Sequence, residues 1–211
     1  MTIRSYIISE GKANYMNKTY DPLFTPWKIG NVEIKNRIVM TSMGGTSIFG
    51  WMEPNHFDKE AARFLLEHDH FAMLSHRRPD GDTVGCAAAL CAGLRRLGKT
   101  VYLLPNPELT DTTAPYFRPY EAPEGFTPDK VVSTDIATVG LFPENAGPYA
   151  ERVDLAIDHH PSFEGFGKAN IVRPEAAACG ELILDIVREL TPLTPEIALP
   201  LYVAISTDTG G

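Results

Sequence analysis

The pattern that most constrains this chain is a short apolar run followed at once by an acidic or histidine-containing cluster. The pattern recurs four times between residues 71 and 210. The clusters are 76–82 (HRRPDGD), Asp135, 158–160 (DHH) and 207–210 (TDTG). Short apolar runs of this kind are typical of strands that are buried on both faces of a sheet. We therefore expect each polar cluster where a strand ends.

Predicted strands and helices alternate along the chain. The apolar runs predict strands at 71–75, 99–104, 131–134, 153–157 and 201–205. Helices are predicted at 83–97, with Asp82 or Thr83 as the N-cap, and at 175–190. The intervening stretch 105–128 contains six prolines and is predicted to be a long surface loop.

This alternation indicates an α/β fold with a doubly wound, mostly parallel sheet. Ligands of such sheets bind outside the carboxyl ends of the strands, and all four clusters are predicted to lie at such ends. Chance clusters would fall equally often at strand starts or inside helices. The shared position therefore predicts one site rather than four unrelated turns.

Composition limits the compartment and the partners of the chain. An acidic chain of 211 residues with a formal net charge of -8 offers no basic stripe for long nucleic acid. Cys86, Cys91 and Cys179 lack C-x-x-C spacing and are predicted to be small buried hydrophobes in a reducing compartment. Neither a membrane span nor a signal peptide is evident in the sequence. We expect a soluble cytoplasmic protein without a membrane partner, and the oligomeric state stays open.

Each cluster also has an ordinary structural interpretation. The 76–82 cluster could form a solvated turn, with its arginines in water rather than on a phosphate. Asp135 could cap a helix, 158–160 could be a polar loop, and 207–210 could be a turn. Taken together, five carboxylates and three histidines at one edge would repel each other unless cations neutralised them. A dinuclear site is therefore predicted, in which ligands without thiolate favour Mn²⁺, with Mg²⁺, Co²⁺ or Zn²⁺ as alternatives.

The motifs resemble those of the DHH phosphoesterases, a family named for the triplet at 158–160. The region from about Phe57 to Gly211 carries four motifs in the family's order. It is most similar to the oligoribonuclease and phosphoadenosine-phosphate phosphatase type. The resemblance implies these ligands of two manganese ions: His76 and Asp80 for one, Asp82, His159 and Asp208 for the other, and Asp135 as the bridge.

The same resemblance implies two catalytic residues outside the ligand set. His160 would contact the scissile phosphate, and Asp158 would orient the histidines from behind them. Arg78 is a further candidate for a contact with substrate phosphate. The implied reaction is hydrolysis of a phosphate ester by water activated between two metals, without a covalent enzyme intermediate.

The resemblance also suggests a substrate. Small nucleotides or short single-stranded oligoribonucleotides are expected. The related manganese inorganic pyrophosphatases usually have threonine where Gly81 stands, so an ester is favoured over pyrophosphate. Relatives continue past the position of Gly211 into a smaller C-terminal domain that supplies a substrate wall. We therefore expect the isolated polypeptide to bind manganese but to hydrolyse its substrate slowly.

A second resemblance lies nearer the N-terminus. Residues 20–66, with LFTPWKIGNVEIKNRIVM at 23–40, are similar to the opening of the flavin-dependent ene-reductases of the old yellow enzyme family. The resemblance implies a small hairpin and a first barrel strand, which cannot by themselves close a barrel or hold a flavin. The prediction is a fusion of residues 1–57 with a phosphoesterase domain at 58–211. The alternatives are an N-terminal extension packed on the phosphoesterase, a flavin oxidoreductase fragment, and a chain that binds metal without catalysis.

Overall fold

The structure is a computed structural model that describes residues 26–29, 32–34 and 56–210. The chain divides into two compact units, Met1–Ser42 and Met43–Gly211. In the first unit, strand β1 (Trp27–Ile29) pairs antiparallel with strand β2 (Val32–Ile34). This pairing agrees with the expected hairpin, whereas the barrel strand expected after it lies outside the described residues. The domain boundary between residues 57 and 58 stays a prediction.

The second unit is built on a sheet of five parallel strands. Its strands are β3 (Phe71–Leu74), β4 (Val101–Leu103), β5 (Lys130–Thr134), β6 (Leu155–Asp158) and β7 (Ala169–Val172). Their order in the sheet is β4-β3-β5-β6-β7. The chain therefore runs from β3 outward to β4 and returns to β5 on the other side of β3. The predicted α/β fold with a parallel sheet is confirmed.

Six α-helices lie in the described part of the second unit, and two of them are single turns. They are α1 (His56–Glu67), α2 (Gly81–Arg96), α3 (Ala114–Phe117), α4 (Gly147–Ala150), α5 (Cys179–Leu190) and α6 (Pro195–Thr209). Helix α2 packs against α5 and α6, and α1 packs against α5. Within residues 56–210, no helix is long and apolar enough to cross a bilayer.

Side chains alternate between the two faces of the sheet, as the two-residue period of a strand requires. On β3, Phe71 and Met73 face the core beneath α1, α2, α5 and α6, whereas Leu74 belongs to a second core on the opposite face. Short helical turns and loops cover that second face, including Phe142 and Ala146. The sheet is therefore buried on both sides, which explains the continuous apolar runs in the sequence.

Helix α2 is buried on every side from Gly81 to Leu94. Alanine, glycine and cysteine dominate its sequence, and such short side chains let the sheet and two helices approach it together. The helix begins earlier than predicted, because Asp80 rather than Asp82 or Thr83 is its N-cap. The Asp80 carboxylate accepts hydrogen bonds from the backbone N–H groups of Asp82 and Thr83.

The predicted strand at 201–205 is wrong, because this apolar run lies inside α6. A short apolar run cannot by itself be told from a buried helical segment. The signals that decide lie at the ends of the helix: Pro195 occupies its first position and Gly210 ends it with a left-handed φ of 81°. The fourth cluster therefore lies at the end of a helix and not at a strand end.

Two further differences concern elements that the sequence patterns did not reveal. Strand β7 was not predicted, because it lies at the edge of the sheet and its residues Ala169 and Asn170 are exposed. The stretch 105–128 was predicted to be a surface loop but contains α3 and a following turn of 3-10 helix. Phe117 in α3 is fully buried, so this segment also contributes to the core.

Candidate metal centre

Three strands bring polar side chains to one edge of the sheet. β3 ends two residues before His76, β5 ends directly before Asp135, and β6 ends with Asp158. The strand order reverses between β3 and β5. Such a reversal opens a crevice at the carboxyl ends, where ligands of open α/β sheets bind. His76 and Asp135 lie on the two sides of this crevice.

Backbone and side-chain partners fix the orientation of the three histidines. Nδ1 of His76 lies 2.7 Å from the carbonyl oxygen of Arg77, and Nδ1 of His159 lies 3.1 Å from that of Ala176. A carbonyl oxygen can only accept, so in the neutral rings each Nδ1 carries the proton and each Nε2 keeps its lone pair. His160 donates from Nδ1 to Asp158 Oδ1 at 2.8 Å. Each imidazole thus turns its Nε2 away from the partner that holds it.

The first group of candidate ligands joins β3, α2 and β5. Nε2 of His76 lies 3.6 Å from Asp80 Oδ1 and 3.8 Å from Asp135 Oδ2. One ligand atom from each residue lies within 4.8 Å of the other two. Atoms held about 2.1 Å from a shared ion lie about 3 Å or more apart, so the spacing suits a single cation.

The second group of candidate ligands joins α2, β6 and α6. Nε2 of His159 lies 3.2 Å from Asp208 Oδ2 and 3.9 Å from Asp82 Oδ2. These three residues also offer ligand atoms within 4.8 Å of one another. The Oδ1 atom of Asp135 lies 3.6 Å from His159 Nε2, while its Oδ2 atom faces His76. The two oxygens of Asp135 therefore face the two groups.

Asp135 is held in an unusual backbone conformation. Its φ of 59° is left-handed, a region that aspartate tolerates better than most residues, and its N–H donates to the carbonyl oxygen of Ile157 at 2.9 Å. The side chain is 3% exposed. Backbone strain at a buried carboxylate is typical of functional sites.

Helix α6 reaches the site through close contacts at three glycines. A Cβ atom added to Gly81 would lie 2.5 Å from Thr207 Cγ2, and one added to Gly85 would lie 2.4 Å from Pro200 O. A Cβ on Gly180 would lie 2.9 Å from Ala204 Cβ. These contacts leave no room for side chains, and they bring the end of α6 close enough for Asp208 to join the second group. The φ of Gly81 is not left-handed. Glycine is therefore needed there for the close approach of α6 and not for its backbone conformation.

Burial and mutual repulsion raise the pKa of three of the carboxylates. Burial raises the pKa of Asp135 well above its ordinary value, and the charges of Asp82 and Asp80 raise it further. Burial raises the pKa of Asp82 to about 6, and it also raises that of Asp208. Burial alone would raise the pKa of Asp80, but its hydrogen bond and charge interaction with His76 lower it overall. A bound cation would relieve this repulsion and favour the ionised forms.

An independent observation supports a divalent cation among these donors. Among the residues that the structure describes, Asp135 Oδ1 and His159 Nε2 are buried without a hydrogen-bond partner. Buried polar atoms are rarely left without a partner, because their desolvation is uncompensated. The two atoms lie 3.6 Å apart, so one cation in contact with both would supply the interaction that they lack.

The remaining candidates lie around the two groups, and His160 also offers a ligand atom within 4.8 Å of atoms of Asp135 and His159. Asp158 is buried, and its Oδ1 accepts from the backbone N–H groups of His159 and His160 as well as from the His160 ring. Arg78 is 85% exposed and lies 3.6 Å from Glu108, so it is outside both groups. Sequence reasoning missed Asn106, which is buried and donates to the carbonyl oxygen of His76 at 2.9 Å. An asparagine in a proline-rich stretch gave no signal of this role.

Comparisons with known proteins match the second unit, the part of the chain that contains the candidate site. The family model of the DHH family N-terminal domain matches residues 70–205. The bifunctional oligoribonuclease and PAP phosphatase NrnA of Thermus thermophilus is 32% identical over 140 residues, 65% of this chain and 43% of that protein. The protein of the same name from Mycoplasma pneumoniae is 27% identical over 165 residues, 71% of this chain and 49% of that protein. The chain thus spans a little under half the length of these relatives.

The fold is similar to that of an exopolyphosphatase-related protein from Bacteroides fragilis. The TM-score is 0.62 at 21% identity, and the match covers 74% of this chain and 50% of that chain. At this identity the likeness concerns the fold alone. The comparisons give no support to the ene-reductase resemblance of residues 20–66, so the predicted fusion with a flavin enzyme is not supported.

Proposed function

This chain belongs to the DHH family, and we propose that it is a phosphoesterase which uses two divalent cations to hydrolyse esters of short oligoribonucleotides or small nucleotides. The observation that carries the proposal is the position of Asp135. Its two oxygens face two separate groups of candidate ligands, and its Oδ1 is buried without a partner. A carboxylate placed in this way is suited to bridge two ions about 3.5–4 Å apart.

The ligand roles in this proposal follow from the two groups. His76 and Asp80 hold one ion, His159, Asp82 and Asp208 hold the other, and Asp135 is shared. Imidazole and carboxylate without thiolate favour Mn²⁺, with Mg²⁺, Co²⁺ or Zn²⁺ as alternatives. Two bound cations would lower the pKa of water and neutralise charge on phosphate oxygens.

The chain itself supplies the contacts with the substrate. His160 is 42% exposed, and its Nδ1 is fixed by Asp158, so its Nε2 can contact the scissile phosphate. Asp158 keeps the His160 ring in one tautomer and orientation, as a carboxylate behind a histidine commonly does. Arg78 would contact a phosphate farther from the reacting bond, because it lies outside the ligand groups.

Two features support nucleotide esters as the substrate class. The two relatives named above are oligoribonucleases and PAP phosphatases, and we propose a related activity for this chain, with phosphoadenosine phosphate as the small substrate. The threonine usual in pyrophosphatases is absent at Gly81, where a Cβ would lie 2.5 Å from Thr207 Cγ2 and would require Thr207 to shift. We also propose a reducing, cytoplasmic compartment, because Cys86, Cys91 and Cys179 are free and buried.

The test is hydrolysis of a dinucleotide and of phosphoadenosine phosphate in the presence of Mn²⁺. We expect both to be cleaved. Losing the hydrogen-bond partner of a metal ligand costs up to about 100-fold. Asp135 is a proposed ligand itself, so we expect Asp135→Asn to lower kcat/KM by at least about 100-fold. Asparagine keeps the shape of the side chain and tolerates the left-handed φ. The bridging carboxylate is therefore the feature that this substitution removes.

Asp129→Asn is the matched control. Asp129 is 77% exposed and lies directly before β5, at the opposite edge of the sheet from Asp135. This variant should retain the activity of the unaltered chain. The proposal is wrong if the unaltered chain binds two Mn²⁺ ions and cleaves neither substrate, or if Asp135→Asn retains full activity.

A further inference from the structure

We propose that the backbone of residues 176–180, which leads into α5, is the positioning element for the second ligand group of Asp82, His159 and Asp208. The inference rests on the two-metal site proposed above. It adds a role for Ala176, Cys179 and Gly180, which lie outside the ligand set and which no sequence motif marks. Each of the three ligands is held by this segment through a different contact.

Asp82 is held by the N-terminus of α5. Its Oδ2 accepts a hydrogen bond from the N–H of Cys179 at 2.6 Å, and its Oδ1 accepts one from the N–H of Gly180 at 3.0 Å. The N-cap residue of α5 is Ala178, which has no side-chain group to satisfy these donors. Asp82 therefore caps α5 from another helix, and the positive end of the α5 dipole stabilises its charge.

His159 is held by the same segment on its other side. The carbonyl oxygen of Ala176 accepts from His159 Nδ1 at 3.1 Å. This bond fixes the tautomer and directs Nε2 toward Asp82 and Asp208. Partners that orient a histidine from behind its ring typically raise the affinity of a metal site by about 10- to 100-fold.

Asp208 is held indirectly, through the packing of α6 on the start of α5. A Cβ on Gly180 would lie 2.9 Å from both Ala204 Cβ and Ile205 Cγ1. A methyl group would not fit between the two helices at Gly180, so α5 and α6 pack in direct contact there and α6 has little room to move inward. Ile205 precedes Asp208 by less than one turn of α6, so Gly180, together with Gly81 and Gly85 of α2, sets where Asp208 lies.

The first group has different supports among the residues that the structure describes. Nδ1 of His76 donates to the carbonyl oxygen of Arg77, and Asp80 accepts from the start of α2. The 176–180 segment makes no hydrogen bond to either residue within the described part of the chain. Disturbing the segment should therefore weaken one ion and spare the other.

The test compares Cys179→Pro with Cys179→Ala. Both variants lack the thiol, but only proline also lacks the N–H that binds Asp82. Cys179 is the first residue of α5 and follows a residue in extended conformation, so proline is compatible with the helix. We expect Mn²⁺ titration followed by electron paramagnetic resonance to give two ions for Cys179→Ala. For Cys179→Pro we expect one ion of unchanged affinity and a second weakened by about tenfold or more.

A second pair of variants covers the case in which Cys179→Pro does not fold. Gly180→Ala should show the same selective loss, since its methyl group would push α6 away. Gly93→Ala is its control, because a Cβ there would meet nothing closer than 3.7 Å. The proposal is overturned if folded Cys179→Pro or Gly180→Ala binds two ions with unaltered affinity, or loses both equally. Binding is measured without substrate, so an inactive chain that binds two ions would refute the proposed function and leave this test intact.

Discussion

The close packing of α6 on α2 leads to a quantitative prediction for Gly85→Ala. The added methyl group would lie 2.4 Å from the carbonyl oxygen of Pro200 and 2.9 Å from Ala204 Cβ. Ordinary contact begins near 3.4 Å, so the two helices would have to separate by about 1 Å. Backbone atoms cannot rotate out of the way as a side chain can. Overpacking of this kind typically costs about 1–3 kcal/mol of the free energy of unfolding.

The same substitution at Gly93, on the same helix, provides the reference. Its new methyl group would be at least 3.7 Å from Thr191 and Val187, which is ordinary van der Waals contact. Replacing glycine by alanine in a helix interior contributes about 0.5–1 kcal/mol of stability. Both variants share this gain, so Gly85→Ala should be less stable than Gly93→Ala by the packing cost, about 1–3 kcal/mol.

Urea unfolding of the metal-free chain measures this difference. The midpoint should fall for Gly85→Ala and stay level or rise for Gly93→Ala, with the same dependence on urea for both. Because α6 carries Asp208, Gly85→Ala should also bind Mn²⁺ more weakly in the second group. Equal stability of the two variants would refute the packing argument.

Two further predictions concern charge and catalysis. The metal-free chain should lose stability as the pH rises from about 4 to 6. Burial raises the pKa of Asp82 to about 6 in the folded state, against an ordinary value of 3.8 in the unfolded chain. Over this range the folded state keeps a proton that the unfolded chain releases, which costs about 3 kcal/mol of the free energy of unfolding. Thermal unfolding with a chelator should show this fall, and Mn²⁺ should abolish it because it stabilises the ionised ligands; a melting temperature that rises over this range without metal would contradict it. His160→Gln should bind both ions but lower kcat by about 100-fold, which single-turnover hydrolysis would reveal, and loss of an ion would instead make His160 a ligand.

Much of the fold could be predicted because buried parallel strands leave a strong local signal. β3 (71–74) is apolar throughout, and β5 and β6 contain apolar residues at 131–132 and 155–157, as is typical of strands covered on both faces. β7 gave no such signal because half of it faces solvent at the sheet edge. The run at 201–205 was wrongly predicted to be a strand, because a short apolar run has no clear hydrophobic period that separates a strand from a helix. Pro195 and Gly210 mark the ends of the helix that contains it.

The candidate site was predictable only in part, because some of its residues follow predicted strands and others are brought in by contacts between distant elements. His76, Asp135 and the 158–160 triplet follow strands, so their convergence could be expected from the topology alone. Asp208 was placed at the same edge through a wrong element, and the structure brings it there through glycine contacts between helices. The bond from Asp82 to the start of α5 joins residues 97 positions apart in the chain. No local pattern could have indicated it.

The burial of α2 on all sides has a consequence for how the chain can vary. A surface helix accepts changes on its solvent face, so its tolerant positions recur with the helical period. Here fourteen successive positions, from Gly81 to Leu94, are enclosed by protein. Gly81 and Gly85 have no room even for a methyl group, whereas Gly93 could accept one, so substitution along this length is limited mostly to residues of similar size. The helix that carries Asp82 therefore offers little freedom for redesign.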